Sequence, residues 1–455
     1  MTRENDKLNL NLSKQTRRDF LIRATTGVGA VLAMPFWLRS AMGASVPNRR
    51  PNIIYIIADD LGIGDVGVYG CKDIPTPNLD RLAAQGMQFN AAYAYPSCSP
   101  SRASLLTGQY AERFGITQAL MGEDAPGFSR AVTVAEQLTR VGYVTGLIGK
   151  WHLGYHEPVR PMDKGFKEFF GFLGGKIDYF EHTDTAQKDP NGGKNGRHDL
   201  WDGTTEIQAD GVYSTTLFTQ KATEFIERHS QEPFFLYLPY NAPHYARIGV
   251  MQAPPEKLEA FGATQNSYDR KIYAAMVSAL DDGIGKILDK LSALGLDDNT
   301  IVIFSGDNGA ITPGSNANLK GSKSTTTEGG IRVPALARWP GRIAPGSVCD
   351  ATVHAMDWTP TVLAAVDVVP APQPDGINIM PLLEGNPMPD RPLVFRGQAV
   401  RLGRWKLDKG SELYDLELDP REQTNVAKAH PEIVKQLQKI LADWKAQVET
   451  KSKGK

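Results

Sequence analysis

The chain has 455 residues, of which 41% are hydrophobic and 22% charged, and its formal net charge is −1. This composition is typical of a globular enzyme, and a chain of this length can form more than one structural unit around a large core. A near-neutral chain lacks the broad basic surface that nucleic-acid binding requires, which excludes a nucleic-acid partner. The sequence has no internal repeat and no long low-complexity tract.

The first 44 residues have the pattern of an export signal. Arg17 and Arg18 form a basic pair, and a modest apolar stretch then leads to small residues at 41–45. The apolar stretch is too short to span a membrane, so we expect no stable membrane insertion. Paired arginines favour the bacterial Tat translocase, which predicts a Tat-type signal peptide at 1–44 and a periplasmic or secreted protein. A basic amphipathic helix is the alternative interpretation.

Further along, apolar runs typical of buried strands alternate with amphipathic segments, which predicts an α/β protein with a largely parallel sheet. Four of these apolar runs end in polar residues; the runs are at 51–60, 143–154, 233–244 and 300–309. Their terminal polar residues are Asp59 and Asp60, Lys150 and His152, His244, and Asp307 and Asn308. Ligands of open α/β sheets lie beyond the carboxyl ends of the strands, so these side chains are predicted to form one shared site.

Adjacent carboxylates at Asp59 and Asp60 would repel each other unless a cation or hydrogen-bond donors compensate. With Asp307 and Asn308 they offer four oxygen donors, and the set requires neither sulfur nor imidazole. Hard oxygen ligands suit Ca²⁺ or Mg²⁺ rather than zinc, and several protein oxygens favour calcium because Mg²⁺ tends to keep its waters. The sequence therefore predicts one calcium ion at this edge of the sheet.

The stretch CSPSRASLLTG at 98–108 begins with Cys98, in a polar setting at the predicted start of a helix. A thiol in such a position is expected to be reactive rather than packed in a core. Soft sulfur is nevertheless a poor ligand for a hard cation, whereas an oxygen on the same side chain would suit it well. This mismatch predicts a covalent modification of Cys98.

The same stretch resembles the sulfatase motif Cys-x-Pro-x-Arg with its following Thr-Gly, in which the cysteine is oxidised to Cα-formylglycine (3-oxoalanine). GKWHLG at 149–154 resembles the second motif of that family, and KSTTTEGGIRVP at 323–334 resembles its Lys-x-Thr-x-x-Glu-Gly-Gly segment. All three occur in the family's order, and the resemblance extends from about residue 51 to the C-terminus. It implies a calcium-dependent sulfuric ester hydrolase of the arylsulfatase A-like type, in the alkaline phosphatase-like superfamily.

The resemblance also implies roles for individual residues. The calcium ligands would be Asp59, Asp60, Asp307, Asn308 and the formylglycine at position 98. Arg102 would steady the formylglycine, and the side chains lining the sulfate would be Lys150, His152, His244 and Lys323. Asp307 would deprotonate the attacking hydroxyl of the aldehyde hydrate, His244 or Lys323 would protonate the departing alcohol, and His152 would accept the proton of the second hydroxyl. A formylglycine-generating enzyme is the implied partner for the modification.

Lys320 is a rival to Lys323 for the sulfate-binding role, although Lys323 stands five residues before Glu328 as the family motif requires. Residues 173–215 are predicted to form a long specificity loop over the site. Asp178, His182 and His198 are its candidate substrate contacts.

The resemblance implies a large mixed, mostly parallel sheet flanked by helices, followed by a smaller C-terminal unit with an antiparallel sheet and a helix. A Pro-rich stretch at 368–376 favours a boundary between a catalytic unit at 45–370 and that unit at 371–455. Amphipathic helices are predicted from about 271 to 295 and at 431–449. Cys71 and Cys349 could pair or remain single thiols.

Export favours sulfated carbohydrates over small aryl sulfates as substrates. Two alternatives remain open at this stage. One is a phosphonate or phosphate ester hydrolase with the same arrangement of metal and nucleophile. The other is a protein that binds sulfated glycans without turning them over. A redox enzyme is disfavoured, because the sequence carries no haem, iron–sulfur or dinucleotide motif.

Overall fold

We analysed a computed structural model, which describes residues 50–122, 124, 126–184, 196–247, 249–262 and 269–453. The predicted signal peptide lies outside the described residues, as does part of the predicted specificity loop. No helix in the described part of the chain is long and apolar enough to cross a membrane.

The strands are β1 (Asn52–Ala58), β2 (Met87–Phe89), β3 (Ala92–Tyr93), β4 (Val144–Lys150), β5 (Glu168–Phe172), β6 (Thr183–Asp184), β7 (Arg197–His198), β8 (Trp201–Asp202), β9 (Thr205–Glu206), β10 (Phe234–Pro239), β11 (Thr300–Gly306), β12 (Ala335–Arg338), β13 (Ser347–Cys349), β14 (Val353–His354), β15 (Leu393–Phe395), β16 (Ala399–Leu402), β17 (Trp405–Asp408) and β18 (Glu412–Asp415). The α-helices are α1 (Pro77–Ala84), α2 (Cys98–Thr107), α3 (Val134–Arg140), α4 (Ser214–Arg228), α5 (Pro255–Phe261), α6 (Arg270–Ala293), α7 (Glu328–Ile331), α8 (Trp358–Ala364), α9 (Met380–Leu383) and α10 (Pro431–Lys453). Both predicted amphipathic helices are confirmed, as α6 and α10.

A ten-stranded sheet forms the centre of the fold, in the order β13-β2-β12-β11-β1-β10-β4-β5-β8-β9. The five central strands from β11 to β5 run parallel, whereas β12, β8 and β9 pair antiparallel toward the edges. This confirms the predicted large, mostly parallel sheet. The carboxyl ends of the parallel strands meet at one edge, where a ligand site is expected.

Strand β1 is buried along its whole length and divides two cores. Ile53, Tyr55 and Ile57 face the core formed with α2, α3 and α8, whereas Ile54 and Ile56 face the core formed with α1, α4 and α6. This alternation follows from the two-residue period of a strand. Each fully buried isoleucine contributes about 1.5–3 kcal/mol of hydrophobic stabilisation, which holds β1 firmly in the centre of the sheet.

Strands β15 to β18 form a separate antiparallel sheet of four strands, and α10 packs against its strands β16 and β17. Leu437 and Leu441 of α10 are buried in the core that α2 also shares. The predicted C-terminal sheet and helix are therefore confirmed. The boundary between residues 370 and 371 stays a prediction.

The C-terminal sheet is joined to the segment 320–328 by buried ionic contacts. Nζ of Lys406 lies 3.0 Å from the Glu328 carboxylate and 2.9 Å from that of Glu422, and both ion pairs are fully buried. The hydroxyl of Tyr93 donates to Glu328 at 2.6 Å. These contacts fix the start of α7 and, with it, the loop that precedes it.

All three cysteines are free thiols, so no disulfide joins Cys71 to Cys349. Cys71 is half-buried and its thiol lies 3.2 Å from the carboxylate of Asp73. Cys349 is buried at the end of the edge strand β13.

The buried position of Lys406 gives a stability test. Lys406→Met leaves two buried carboxylates without their cation, and we expect it to lower the free energy of unfolding by about 3 kcal/mol. The control is Arg342→Met, which removes an ion pair to Glu384 whose side chains are 50% and 36% exposed, and which should cost under about 1 kcal/mol. Urea denaturation measures both values, and equal losses would contradict the role given to Lys406.

Candidate active site

The carboxyl edge of the central sheet brings the predicted polar residues together. Asp59 and Asp60 follow β1, and Asp307 and Asn308 follow the neighbouring β11. Lys150 is the last residue of β4. All five side chains are buried.

Two residues at this edge, Asp60 and His152, have unusual backbone conformations. Asp60 has φ 64° and His152 has φ 61°, in the left-handed region that non-glycine residues rarely adopt. Such a residue costs on the order of 1–3 kcal/mol, and strain of this kind concentrates at functional sites. Here it turns the chain sharply after a strand, so that the side chains face the sheet edge.

Cys98 is the first residue of α2 and is only 1% exposed. Its Sγ lies 3.4 Å from Oδ1 of Asp59 and 3.2 Å from Nζ of Lys323. Burial, and then the carboxylates of Asp307 and Asp59, raise the pKa of the thiol far above its ordinary value. The expectation that this thiol is not packed in a core is therefore wrong: Cys98 is buried, and its raised pKa favours the protonated form.

Arg102 lies one turn further along α2 and is fully buried. Its Nη2 lies 2.9 Å from Oδ2 of Asp307 and 3.6 Å from Oδ2 of Asp59, and its Nη1 donates to the carbonyl of Lys150 at 3.1 Å. Burial alone would lower the pKa of Arg102, but Asp307 and Asp59 raise it. The guanidinium thus connects the ends of three strands.

Each lysine of the motifs contacts one of the paired carboxylates. Nζ of Lys150 lies 2.5 Å from Asp59, and Nζ of Lys323 lies 2.6 Å from Asp60. Burial raises the pKa of Asp60, but Lys323, and then His244, outweigh it and leave that pKa below its ordinary value. Asp60 is therefore ionised at neutral pH.

Lys320 and Lys323 lie in the same loop, but their side chains contact different parts of the molecule. Lys323 lines the cavity beside Cys98. Nζ of Lys320 instead donates to the hydroxyl of Tyr414 on β18 and to the carbonyl of Glu422 in the segment after β18, both at 3.1 Å. Lys320 therefore anchors the loop, whereas Lys323 lines the cavity, and its assignment as a sulfate ligand stays a prediction.

The donors at this edge fit a divalent cation. Oδ2 of Asp60 and Oδ1 of Asn308 are buried oxygens with no hydrogen-bond partner. Asp59, Asp60, Cys98 and His244 each place one potential ligand atom within 4.8 Å of the others. Buried oxygens that protein groups leave unsatisfied are costly, and a cation would satisfy them.

Asp307, the remaining predicted ligand, already has two hydrogen-bond donors. Its Oδ2 accepts from Arg102, and its Oδ1 accepts from the backbone N–H of Asp60 at 3.2 Å. Burial and the neighbouring Asp59 raise the pKa of Asp307. Asp307 thus contacts both the backbone of the predicted cation ligand Asp60 and the basic side chain of Arg102.

His152 and His244 face the cavity as neutral imidazoles. Burial, and then the positive charge of Lys150, depress the pKa of His152 well below its ordinary value. Burial also depresses the pKa of His244, although Asp60 opposes this effect. Nε2 of His152 bonds the Leu120 carbonyl and Nδ1 of His244 bonds the Tyr245 carbonyl, each at 2.8 Å. Nδ1 of His152 has no hydrogen-bond partner and Nε2 of His244 lies 3.6 Å from Oδ2 of Asp60, so each neutral ring has a nitrogen that can accept a proton.

A cavity of about 410 Å³ opens in front of Cys98. Besides Lys323 and the two histidines, its polar and aromatic lining residues are Ser97, Gln118, Tyr155, Lys176, Asp184, Tyr245, Ser324 and Arg396. Its cationic side chains outnumber the single carboxylate of Asp184. The cavity is therefore suited to an anionic ligand.

Sequence patterns did not identify the outer lining residues of this cavity. Lys176 and Asp184 belong to the segment predicted to carry specificity, but neither is part of a motif. Arg396 follows β15 of the C-terminal sheet and reaches the cavity only through the fold. Nothing in the sequence pattern marks Arg396 as a site residue.

The three predicted substrate contacts do not line the cavity. Asp178 accepts from the backbone N–H of Phe180 at 2.9 Å and from the Gln252 side chain at 2.6 Å. His182 is fully buried and its Nε2 bonds the Val212 carbonyl at 3.1 Å, while His198 bonds Glu206. We therefore correct this expectation: from the same segment, Gly175, Lys176 and Asp184 reach the cavity.

Comparisons with known proteins show the family of the chain. Residues 51–368 match the family model named Sulfatase, and residues 322–447 match the model described as N-sulphoglucosamine sulphohydrolase, C-terminal. Arylsulfatase J of Mus musculus is 36% identical over 328 residues, which are 70% of this chain and 53% of that protein. N-acetylgalactosamine-6-sulfatase of Homo sapiens is 36% identical over 392 residues, covering 80% of this chain and 72% of that protein.

A solved structure shares the fold and about a third of the aligned residues. The crystal structure of Ps i-CgsB in complex with k-i-k-neocarrahexaose has a TM-score of 0.78 and 34% identity, and the match covers 87% of this chain and 93% of that one. The chain belongs to the sulfatase family of the alkaline phosphatase-like superfamily and is a sulfuric ester hydrolase.

Proposed function

We propose that this sulfatase removes sulfate esters from carbohydrates, with Cys98 converted to Cα-formylglycine and one calcium ion bound beside it. The observation that carries the proposal is the position of Cys98, which is buried between Asp59 and Lys323 and lines a cationic cavity. A protonated thiol is a poor nucleophile and a poor ligand for a hard cation. The hydrated aldehyde would supply one hydroxyl as the nucleophile and a second through which sulfate is released.

The donors favour calcium in the cation site. Asp59, Asp60, Asp307 and Asn308 would hold it through oxygen atoms, which suits calcium better than a transition metal. Its charge would polarise the sulfate oxygens next to the nucleophile. The unpartnered oxygens of Asp60 and Asn308 support this assignment.

The chain's own residues would orient the ester and move protons. Lys323 and His244 line the cavity on the side of Asp60, where an ester oxygen would receive a proton as the alcohol leaves. An anionic substrate raises the pKa of a neighbouring imidazole, so binding itself would favour a protonated His244. The free Nδ1 of His152 would accept a proton, and the net reaction adds one water across the sulfur–oxygen bond.

Asp307 is the proposed acceptor for the proton of the attacking hydroxyl. Its raised pKa brings it closer to the range of a useful general base. The contact with Arg102 fixes the orientation of its carboxylate. Arg102 and Lys150 are fully buried, so they would act by holding Asp59 and Asp307 in place.

The cavity supports a sugar as the carrier of the ester. Gln118, Tyr155 and Asp184 offer hydrogen-bonding groups for hydroxyls, and Tyr245 offers an aromatic ring. Two relatives are named for, or crystallised with, carbohydrates: N-acetylgalactosamine-6-O-sulfatase of Bacteroides thetaiotaomicron, which is 30% identical over 88% of this chain and 94% of that protein, and the neocarrahexaose complex described above. A sulfated glycan is therefore the substrate class we favour.

Export remains part of the proposal. The twin arginines Arg17 and Arg18 favour transport by the Tat translocase to the periplasm or beyond. Because that route carries folded proteins, a formylglycine-generating enzyme would act on Cys98 in the cytoplasm first. Fractionation of cells expressing the full chain tests this, and an active cytoplasmic pool with none exported would contradict it.

The proposed reaction is tested by comparing sulfated sugars with the corresponding phosphate esters. We expect kcat/KM for the best sulfate ester to exceed that for its phosphate counterpart by at least ~100-fold, and Cys98→Ala to lower kcat by at least ~1,000-fold. Cys71→Ala is the control, since Cys71 lies away from the cavity, and it should retain full activity. Faster turnover of the phosphate ester would support a phosphate or phosphonate hydrolase instead. Glycan binding without sulfate release by wild type would support the binding-protein alternative.

A second test concerns the substrate class. Lys176 and Arg396 line the outer part of the cavity, so they should contact the sugar or further sulfate groups rather than the reacting ester. Lys176→Met and Arg396→Met should each raise KM for a sulfated oligosaccharide by about tenfold, or ~1.4 kcal/mol, and change KM for a small aryl sulfate much less. Lys290→Met, on the outer surface of α6, is the control. Equal effects on both substrates would contradict a glycan-binding role.

A further inference from the structure

A second cluster of potential ligands lies outside the active site. His182, His198 and Asp210 each place one ligand atom within 4.8 Å of the others, and we call them the His–His–Asp cluster. His182 directly precedes β6, His198 ends β7, and Asp210 lies in the loop before α4. The catalytic residues described above do not belong to it.

Each imidazole of the cluster has one nitrogen occupied and one free. Nε2 of His182 bonds the Val212 carbonyl, and Nδ1 of His198 bonds the Glu206 carboxylate, both at 3.1 Å. Nδ1 of His182 and Nε2 of His198 are buried and have no hydrogen-bond partner. Histidines that bind metals usually donate their second N–H to a carbonyl or carboxylate in this way.

Hydrogen bonding inside the cluster does not account for the arrangement. The Asp210 carboxylate lies 3.9 Å from Nε2 of His198, which is too far for a hydrogen bond. The two imidazole rings meet edge to face, with centroids 6.5 Å apart. One ligand atom of each residue lies within 4.8 Å of the other two, which is close enough for one ion to bind all three.

The exposure of the three side chains provides an entry path for the ion. His182 is fully buried and the His198 side chain is 14% exposed, whereas that of Asp210 is 63% exposed. An ion could enter from the Asp210 side and retain a water molecule as its fourth ligand. Two imidazoles, one carboxylate and one water make the tetrahedral set typical of zinc.

We propose that His182, His198 and Asp210 bind one zinc ion that is distinct from the cation of the active site. Calcium is unsuited to the cluster, because it takes six to eight oxygen ligands and avoids imidazole. The ion would join three segments: β6, its partner β7 and the loop at 210. Asp184, which lines the cavity, lies only two residues beyond His182. Zinc would thus fix one wall of the cavity and act as a positioning element.

The test is zinc binding by the full chain in the presence of excess calcium, which keeps the active-site cation saturated. We expect wild type to retain one zinc per chain against a chromophoric zinc indicator, and cobalt in its place to give the absorption bands of tetrahedral Co²⁺. Asp210→Asn and His198→Gln should each lose this stoichiometric zinc and the cobalt bands. Asp210 is largely exposed, so Asp210→Asn should fold normally. If His198→Gln fails to fold, zinc binding by Asp210→Asn still tests the proposal.

His229→Gln is the matched control. The side chain of His229 is also 14% exposed, but both of its nitrogens already bond carboxylates, of Glu168 and Glu232. This variant should bind zinc like wild type. Absence of stoichiometric zinc in wild type, or equal binding by wild type and Asp210→Asn, would overturn the proposal.

Discussion

The rest of the site depends on a balance of buried charge at one edge of the sheet. Three carboxylates, of Asp59, Asp60 and Asp307, lie against three cationic side chains, of Arg102, Lys150 and Lys323. Removing such charges from water is costly, and the cost is recovered only where the ion pairs and hydrogen bonds are well formed. With these six charges balanced, a divalent cation would leave the site positive, which suits an anionic ester.

This charge balance links the site to the whole fold. The parallel strands supply the carboxylates because their carboxyl ends meet at one edge. The loop with Lys323 is held from the other side, where Lys320 contacts Tyr414 and the buried ion pair of Lys406 with Glu328 fixes the start of α7. The C-terminal sheet thus positions a residue of the active site, and its Arg396 also completes the cavity.

Much of the fold was predictable from the sequence because strand and helix signals are local. The apolar run before Asp59 and the helical periodicity of α6 both appear in the structure where the sequence predicted them. The resemblance around Cys98 likewise pointed to the family that the comparisons show. What sequence could not provide was the environment of a side chain: Cys98 was expected not to be packed in a core, yet it is buried, and burial and two carboxylates raise the pKa of its thiol.

The same limit explains the substrate contacts. His182 and His198 were predicted contacts because they lie in the predicted specificity loop, but neither lines the cavity and their rings face each other. Lys176 and Arg396 carry no motif, since their role arises only when distant segments meet.

The central claim is that position 98 carries an aldehyde in the working enzyme. It is tested most directly by the mass of the tryptic peptide Leu82–Arg102 from protein purified out of its native host. We expect a peptide in which the Cys98 thiol has been replaced by an aldehyde that reacts with a hydrazide probe. An unmodified thiol in protein that hydrolyses sulfate esters at full rate would contradict it.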